Sequence, residues 1–235
     1  MATATRNTRY DDLTKDELYE LAQERDVDGR SQMDRDELQR ALELADQGPD
    51  AVTLLEAQHE RFRELFGDFR GLAKRPSQKK QDLVRTMITE LVKHAEIEEQ
   101  IFYPAVREEV DGVEDLVDED LEEHHAVELL LDELDHLSVE AARYDAKVTV
   151  VIENVEHHME EEESDLFPRV REQLSEERRR ALGGAMEAMW KVAPSRPHPA
   201  SPDTPPANMV AGLPAAALDL GVNVIRYARK RIRRG

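Results

Sequence analysis

Two stretches of the sequence decide the fold: residues 94–104 read HAEIEEQIFYP, and residues 158–168 read HMEEEESDLFP. In each stretch a glutamate follows the histidine by four positions, and a proline follows it by ten. The two copies are offset by 64 residues. Because residues four apart lie one turn apart on the same face of an α-helix, the repeat predicts two helices that each present an imidazole and a carboxylate on one face.

A lone histidine precedes each stretch, His59 before the first and His124 before the second, at an offset of 65 residues. Apolar residues follow each of them three, six and seven positions later, which places each histidine in the buried stripe of its helix. These residues are Phe62, Leu65, Phe66 and Val127, Leu130, Leu131. The sequence therefore predicts two copies of a helical hairpin, each with a histidine on its first helix and His-x-x-x-Glu on its second.

The composition favours an all-α fold. Of 235 residues, 5% are aromatic and only 10 are glycine, which suits helices better than a β-sandwich. Short connections between long amphipathic segments predict antiparallel neighbours, as in an up-down-up-down four-helix bundle. The predicted helices cover residues 50–73, 77–103, 114–143, 146–167 and a shorter segment at 175–191.

Proline and charge divide the chain into four parts. Residues 1–48 predict a small helix-loop-helix module, because Thr14 with Glu17 and Asp34 with Glu37 have the spacing of capping boxes. Residues 49–193 form the predicted bundle. Residues 194–206 are a Pro-rich linker, and residues 207–235 a basic amphipathic tail that contains a candidate helix.

Charge and cysteine content exclude several classes of protein. The net charge of −20 argues against a general nucleic-acid or anionic-membrane binder, since phosphate contacts require Lys and Arg. The absence of cysteine excludes disulfides, thiolate metal sites and iron–sulfur clusters. The N-terminus lacks the apolar core of a signal peptide, and no apolar run is long enough for a transmembrane helix. We therefore expect a cytoplasmic protein.

Packing the two hairpins together would bring four imidazoles and two carboxylates into one interior. Buried charge is costly unless it is paired or coordinated, so a metal centre is the simplest solution, and the nitrogen and oxygen donors suit iron, manganese or zinc. Glu128 follows His124 by four positions and is a further candidate. The predicted metal ligands are His59, His94, Glu98, His124, Glu128, His158 and Glu162. No separate acid–base pair or nucleophile stands out, so we lean against an enzyme while leaving enzymatic activity open.

Residues 51–170 resemble the hemerythrin-like HHE cation-binding domain. The resemblance rests on Glu123-His124 and on the two His-x-x-x-Glu-Glu stretches, each followed by an aromatic residue and proline. It implies a four-helix bundle with a non-haem di-iron centre, in which Glu98 and Glu162 bridge. Glu128 stands where the oxygen-carrying hemerythrins have histidine, and the last helix has a shorter spacing. Sensing, NO or peroxide chemistry, or iron handling is therefore favoured over reversible oxygen storage.

Residues 10–44 resemble the small N-terminal domain of the Rho termination factor, which implies nucleic-acid contact. The segment 1–48 carries 7 basic and 13 acidic residues, so docking to a protein is the interpretation that we favour. The basic tail can dock on the acidic bundle of its own chain or make a weak contact with a membrane surface.

The sequence thus predicts a protein that binds two iron ions, with manganese or zinc as alternatives, and that binds or senses O₂, NO or peroxide. One alternative is a di-iron enzyme that turns over peroxide or NO. Another is a nucleic-acid or protein docking module built on a structural or vestigial metal bundle.

Overall fold

A computed structural model describes residues 10–25, 27, 29–46, 48–72 and 74–198. All regular structure in these ranges is helical. The α-helices are α1 (Lys15–Glu24), α2 (Arg35–Ala45), α3 (Ala51–Gly71), α4 (Gln78–Ile97), α5 (Tyr103–Glu109), α6 (Glu114–Asp135), α7 (Tyr144–Glu161), α8 (Phe167–Gln173) and α9 (Glu176–Trp190). A 3₁₀ turn lies at Arg30–Gln32, and π-helical turns lie at Glu98–Phe102 and Glu162–Leu166. The predicted tail helix lies outside the described residues.

The N-terminal module has the two predicted helices, and both begin with a capping box. The Thr14 side chain accepts from the Glu17 amide while the Glu17 carboxylate accepts from the Thr14 amide, and Asp34 and Glu37 repeat the arrangement. These contacts satisfy amide groups that a helix N-terminus leaves without partners. A small core of its own holds the module together: Tyr10, Leu18, Ala22, Leu38 and Leu42.

Four long helical rods form the bundle and run up, down, up and down, as predicted. The first is α3, the second α4 to α5 through a π turn, the third α6, and the fourth α7 to α8 through a π turn. Their apolar residues form two separate core clusters, and each rod passes from one cluster to the other at its histidine. Leu55 lies in one cluster and Phe62 in the other, on either side of His59. The order is reversed on α4, where Leu91 precedes and Ile97 follows the histidine. The histidines therefore form a polar layer between two apolar halves.

The second and fourth rods contain a π-helical turn in their interior. The sequence predicted that these helices end at residues 103 and 167, next to Pro104 and Pro168, and this prediction was wrong. The second rod continues to Glu109 and the fourth to Gln173. Proline has no N–H to donate to the carbonyl four residues earlier. In the π turn, the Tyr103 amide donates to the Glu98 carbonyl five residues earlier. The helix can therefore continue through Pro104.

The two ends of the bundle are closed differently. Helix α6 ends at Asp135, whereas the sequence predicted an end at residue 143. The chain turns there because Leu137, Val139 and Ala141 pack against the apolar cluster that contains Phe62. Helix α9 covers the other half with Leu182 and Met186. No helix among the described residues is both long enough and apolar enough to span a bilayer.

A short strap, residues 194–198, follows α9 and lies along the bundle. The Thr89 hydroxyl donates to the Ser195 carbonyl at 3.3 Å, and the His198 amide donates to Glu128 Oε1 at 2.7 Å. The first part of the predicted linker thus contacts α4 and α6.

Candidate metal centre

The four predicted histidines and two of the predicted glutamates meet in the middle of the bundle. All four rods contribute to this group, and none of its six residues exposes more than 8% of its surface. The six residues are His59, His94, Glu98, His124, His158 and Glu162. Six polar side chains have therefore been placed where the surrounding core is apolar.

Each of the two carboxylates lies between imidazoles from both hairpins. Glu98 Oε2 is 3.3 Å from His94 Nε2 of its own hairpin and 3.5 Å from His124 Nε2 of the other. Glu162 Oε2 is likewise 3.6 Å from His158 Nε2 and 3.3 Å from His59 Nε2. Each carboxylate thus faces both halves of the site, which is the arrangement that a bridging ligand requires.

Several of these buried atoms have no hydrogen-bond partner among the described residues. They are His59 Nε2, His94 Nε2, both carboxylate oxygens of Glu98, and Glu162 Oε2. Leaving such atoms unsatisfied in an apolar interior costs free energy at each of them. Because all of them point at one space, coordination of metal ions would satisfy them together, and the donor set fits such ions.

The outward nitrogen of each imidazole is held by a side-chain oxygen. With metal bound, this contact would hold the N–H on Nδ1 and leave the lone pair of Nε2 directed at the centre. In the metal-free structure, His124 Nε2 and His158 Nε2 lie within hydrogen-bond distance of each other, at 3.0 Å. Three of the acceptors are carboxylates and one is a neutral amide. The pairs are His59 with Glu163 (2.8 Å), His94 with Gln58 (2.7 Å), His124 with Glu99 (3.1 Å) and His158 with Glu123 (2.9 Å).

Burial and mutual repulsion set the proton affinities of the metal-free site. Burial, reinforced by the other imidazoles, lowers the pKa of His94 well below its usual value, and burial also lowers that of His124 to about 3. Burial opposes the charged form of His158 as well, but Glu162 and the Glu123 hydrogen bond outweigh it and raise that pKa to about 9. Burial and the charge of Glu162 raise the pKa of Glu98 well above its usual value.

Tyr103 is a member of the site that the sequence reasoning missed. Its hydroxyl donates to Glu162 Oε1 at 3.0 Å and lies 3.5 Å from Nε2 of both His124 and His158. The equivalent residue of the other half, Phe167, stacks on His59 with ring centroids 5.6 Å apart. The hydroxyl therefore distinguishes the His124–His158 side of the centre from the His59–His94 side.

Comparison with known proteins identifies the family of the chain. Residues 50–170 match the model of the hemerythrin HHE cation binding domain, which is about half of the chain. The chain belongs to the hemerythrin HHE cation-binding family. An uncharacterised hemerythrin-like protein of Schizosaccharomyces pombe is 28% identical over 133 residues, which are 56% of this chain and 66% of that protein.

A crystal structure of a hemerythrin HHE cation binding domain-containing protein from Mycobacterium kansasii has the same fold. It superposes with a TM-score of 0.53 at 23% identity, and the match covers 61% of this chain and 86% of that one. The likeness to a solved HHE domain confirms the helical bundle that the sequence predicted.

The structure does not bring Glu128 to the six-residue HHE cluster. Its Oε1 accepts from the His198 amide at the strap, on the wall of a cavity beside the centre. His157, which precedes His158 in the sequence, is also outside the cluster: it is exposed, and its Nε2 lies 3.5 Å from Glu161 Oε1. We therefore leave Glu128 out of the ligand set that we propose.

The cavity beside the HHE centre has a volume of about 70 Å³. Most of its exposed wall is apolar, but four glutamates also line it: Glu96, Glu99, Glu123 and Glu128. Leu91, Val127, Leu131 and Val155 contribute to these walls, while His94, His124 and His158 lie at the centre's side. Pro194, Arg196 and His198 of the strap complete the lining. A small uncharged molecule could reach the metal ligands through this space.

Proposed function

We propose that this protein holds two non-haem iron ions in its bundle and uses them to bind and sense O₂ or a related oxidant such as NO or peroxide. The observation that carries the proposal is the position of Glu98 and Glu162, each between imidazoles of both hairpins. A single tetrahedral zinc would take four ligands and leave the remaining buried donors without partners.

The ligand set supports iron over softer metals. His59 and His94 would hold one ion, His124 and His158 the other, and the two carboxylates would be shared. Imidazole and carboxylate donors together suit iron or manganese, and a bound iron pair supplies electrons for reactions with small oxidants.

The protein's own groups orient and shield this centre. The carboxylates behind His59, His124 and His158 raise the basicity of those imidazoles and fix their orientation. Tyr103 holds a proton at its hydroxyl, 3.0 Å from Glu162, close to where a small molecule from the apolar cavity would arrive. The apolar part of the cavity wall gives an uncharged molecule a surface to pack against beside the imidazoles.

The strap favours a sensor over a freely accessible catalyst. It joins the wall of the small-molecule cavity directly to the C-terminal part of the chain, so occupancy of the centre can alter how that part docks. Docking through the N-terminal module to a protein partner and a cytoplasmic location belong to the same proposal. Turnover of peroxide or NO is the second candidate function, favoured by the cavity beside His124 and His158.

Elemental analysis and absorption spectroscopy of protein grown with iron test the proposal. We expect about two irons per chain, one for each imidazole pair that shares the carboxylates, with absorption that changes on reduction and on exposure to air. His94→Ala with His158→Ala should abolish both, whereas His136→Gln, an exposed position, should change neither. One zinc per chain, or no metal, would contradict the proposal, and rapid turnover of peroxide would favour the enzyme.

A further inference from the structure

A second cavity, of about 40 Å³, differs from the first in that neither a basic side chain nor an imidazole lines it. It lies between α6 and the region where α7 passes into its π turn. Five of its seven lining residues are carboxylates, and none of the seven is basic: Leu116, Glu119, Asp120, Glu161, Glu162, Asp165 and Leu166.

Asp120 gives this cavity a feature that a solvated acidic surface lacks. The residue is only 5% exposed, and its Oδ2 atom has no hydrogen-bond partner among the described residues. Its other oxygen, Oδ1, is 3.6 Å from His158 Nδ1, which is already held by Glu123 at 2.9 Å. A buried carboxylate oxygen without a donor is costly, so a cation in the cavity would stabilise it.

The carboxylates run from the protein surface to the metal centre. Glu119 and Asp165 are exposed, Asp120 is buried, and Glu162 is itself one of the two shared carboxylates of the centre. Oxygen donors of this kind bind hard divalent cations. A cleft lined by one sign of charge also raises the local concentration of counter-ions.

We propose that this acidic cavity is a divalent-cation site through which metal ions reach the centre. The inference rests on the proposed function, since it supplies the metal that the six ligands would hold. It gives the centre a second approach, lined by five carboxylates, whereas the lining of the cavity at the strap also includes Arg196 and four histidines.

The test is the rate at which Co²⁺ enters the metal-free full-length protein, followed by its visible absorption in a stopped-flow instrument. Glu119→Gln with Asp165→Asn removes two charges at the mouth and leaves all six ligands in place. We expect loading about tenfold slower with unchanged final stoichiometry, since fields of this kind alter association rates by about 10- to 1,000-fold. Asp120→Asn, of nearly the same shape, should also slow loading.

The control variant is Glu122→Gln with Glu160→Gln, which removes the same charge from exposed positions on the same helices outside the cavity. It should load at nearly the wild-type rate. Equal rates for all variants, or equal slowing in the control, would overturn the access route while leaving the centre intact. Failure of the wild-type protein to bind Co²⁺ at all would instead contradict the proposed metal centre.

Discussion

Tyr103 and Phe167 occupy the same position in the two halves of the repeat, but only Tyr103 brings a hydroxyl to the centre. In an uninterrupted α-helix, a residue nine positions after His94 would point about 180° away from it. The π turn accommodates one extra residue, which reduces this angle to about 80° and turns the ring inward. Helical periodicity could therefore find the histidines and glutamates but not this tyrosine.

Replacing Tyr103 by Phe tests the role of the hydroxyl. The ring remains, but Glu162 loses its donor at 3.0 Å. We expect metal stoichiometry to be unchanged, the absorption spectrum to shift, and the free energy of unfolding of the metal-free protein to fall by about 1–3 kcal/mol in urea denaturation. Tyr144→Phe, at another buried tyrosine outside the centre, is the control and should leave the spectrum unchanged.

The partners behind the imidazoles give a second prediction. Glu123→Gln removes the negative charge that supports His158, and we expect metal affinity to fall about 10- to 100-fold in chelator competition. Of the four imidazoles of the centre, His94 is the one whose side-chain partner is neutral, so Gln58→Glu places a carboxylate behind it and should tighten binding. An equal loss in both variants would show that packing, rather than charge, dominates at these positions.

At the scale of elements, the sequence predicted most of the fold. The helix periods located the four rods, and the repeat located six residues that the structure brings together. The π turns were missed because Pro104 and Pro168 look like helix ends. The position of Glu128 was not predictable either, since an i+4 spacing specifies only the face of a helix, and the strap that meets it comes from a distant segment of chain.

The strap offers a test at this scale. A chain that ends at residue 193 removes it from the mouth of the apolar cavity, whereas a chain that ends at residue 198 keeps it and serves as the control. We expect faster binding of NO to the reduced iron form in the shorter chain only, measured by stopped-flow absorption. The same rate in both chains would mean that the strap does not limit access.

At the scale of the molecule, the bundle consists of two apolar halves joined by a polar layer. In the metal-free protein, this layer interrupts the core with several polar atoms that have no hydrogen-bond partner among the described residues. Stability should therefore depend on metal more than in a bundle with a continuous apolar core.

Removal of metal measures this dependence. At a free metal concentration of 100 Kd, each bound ion adds about 2.7 kcal/mol, so two ions add about 5.4 kcal/mol, which corresponds to a Tm increase of roughly 10–20 °C for a protein of this size. Chelation should lower the Tm by that amount in differential scanning calorimetry, and re-addition of iron should restore it. An unchanged Tm on chelation would indicate that the layer is stable without ions.

The π turns also bear on the history of the chain. A π turn holds one residue more than an α turn, and here it lies at equivalent positions in both halves, 64 residues apart. A one-residue insertion is hard to acquire twice at the same place. The simplest account is that an ancestral hairpin already carried the insertion when it was duplicated and fused, and that the tyrosine and phenylalanine diverged afterwards.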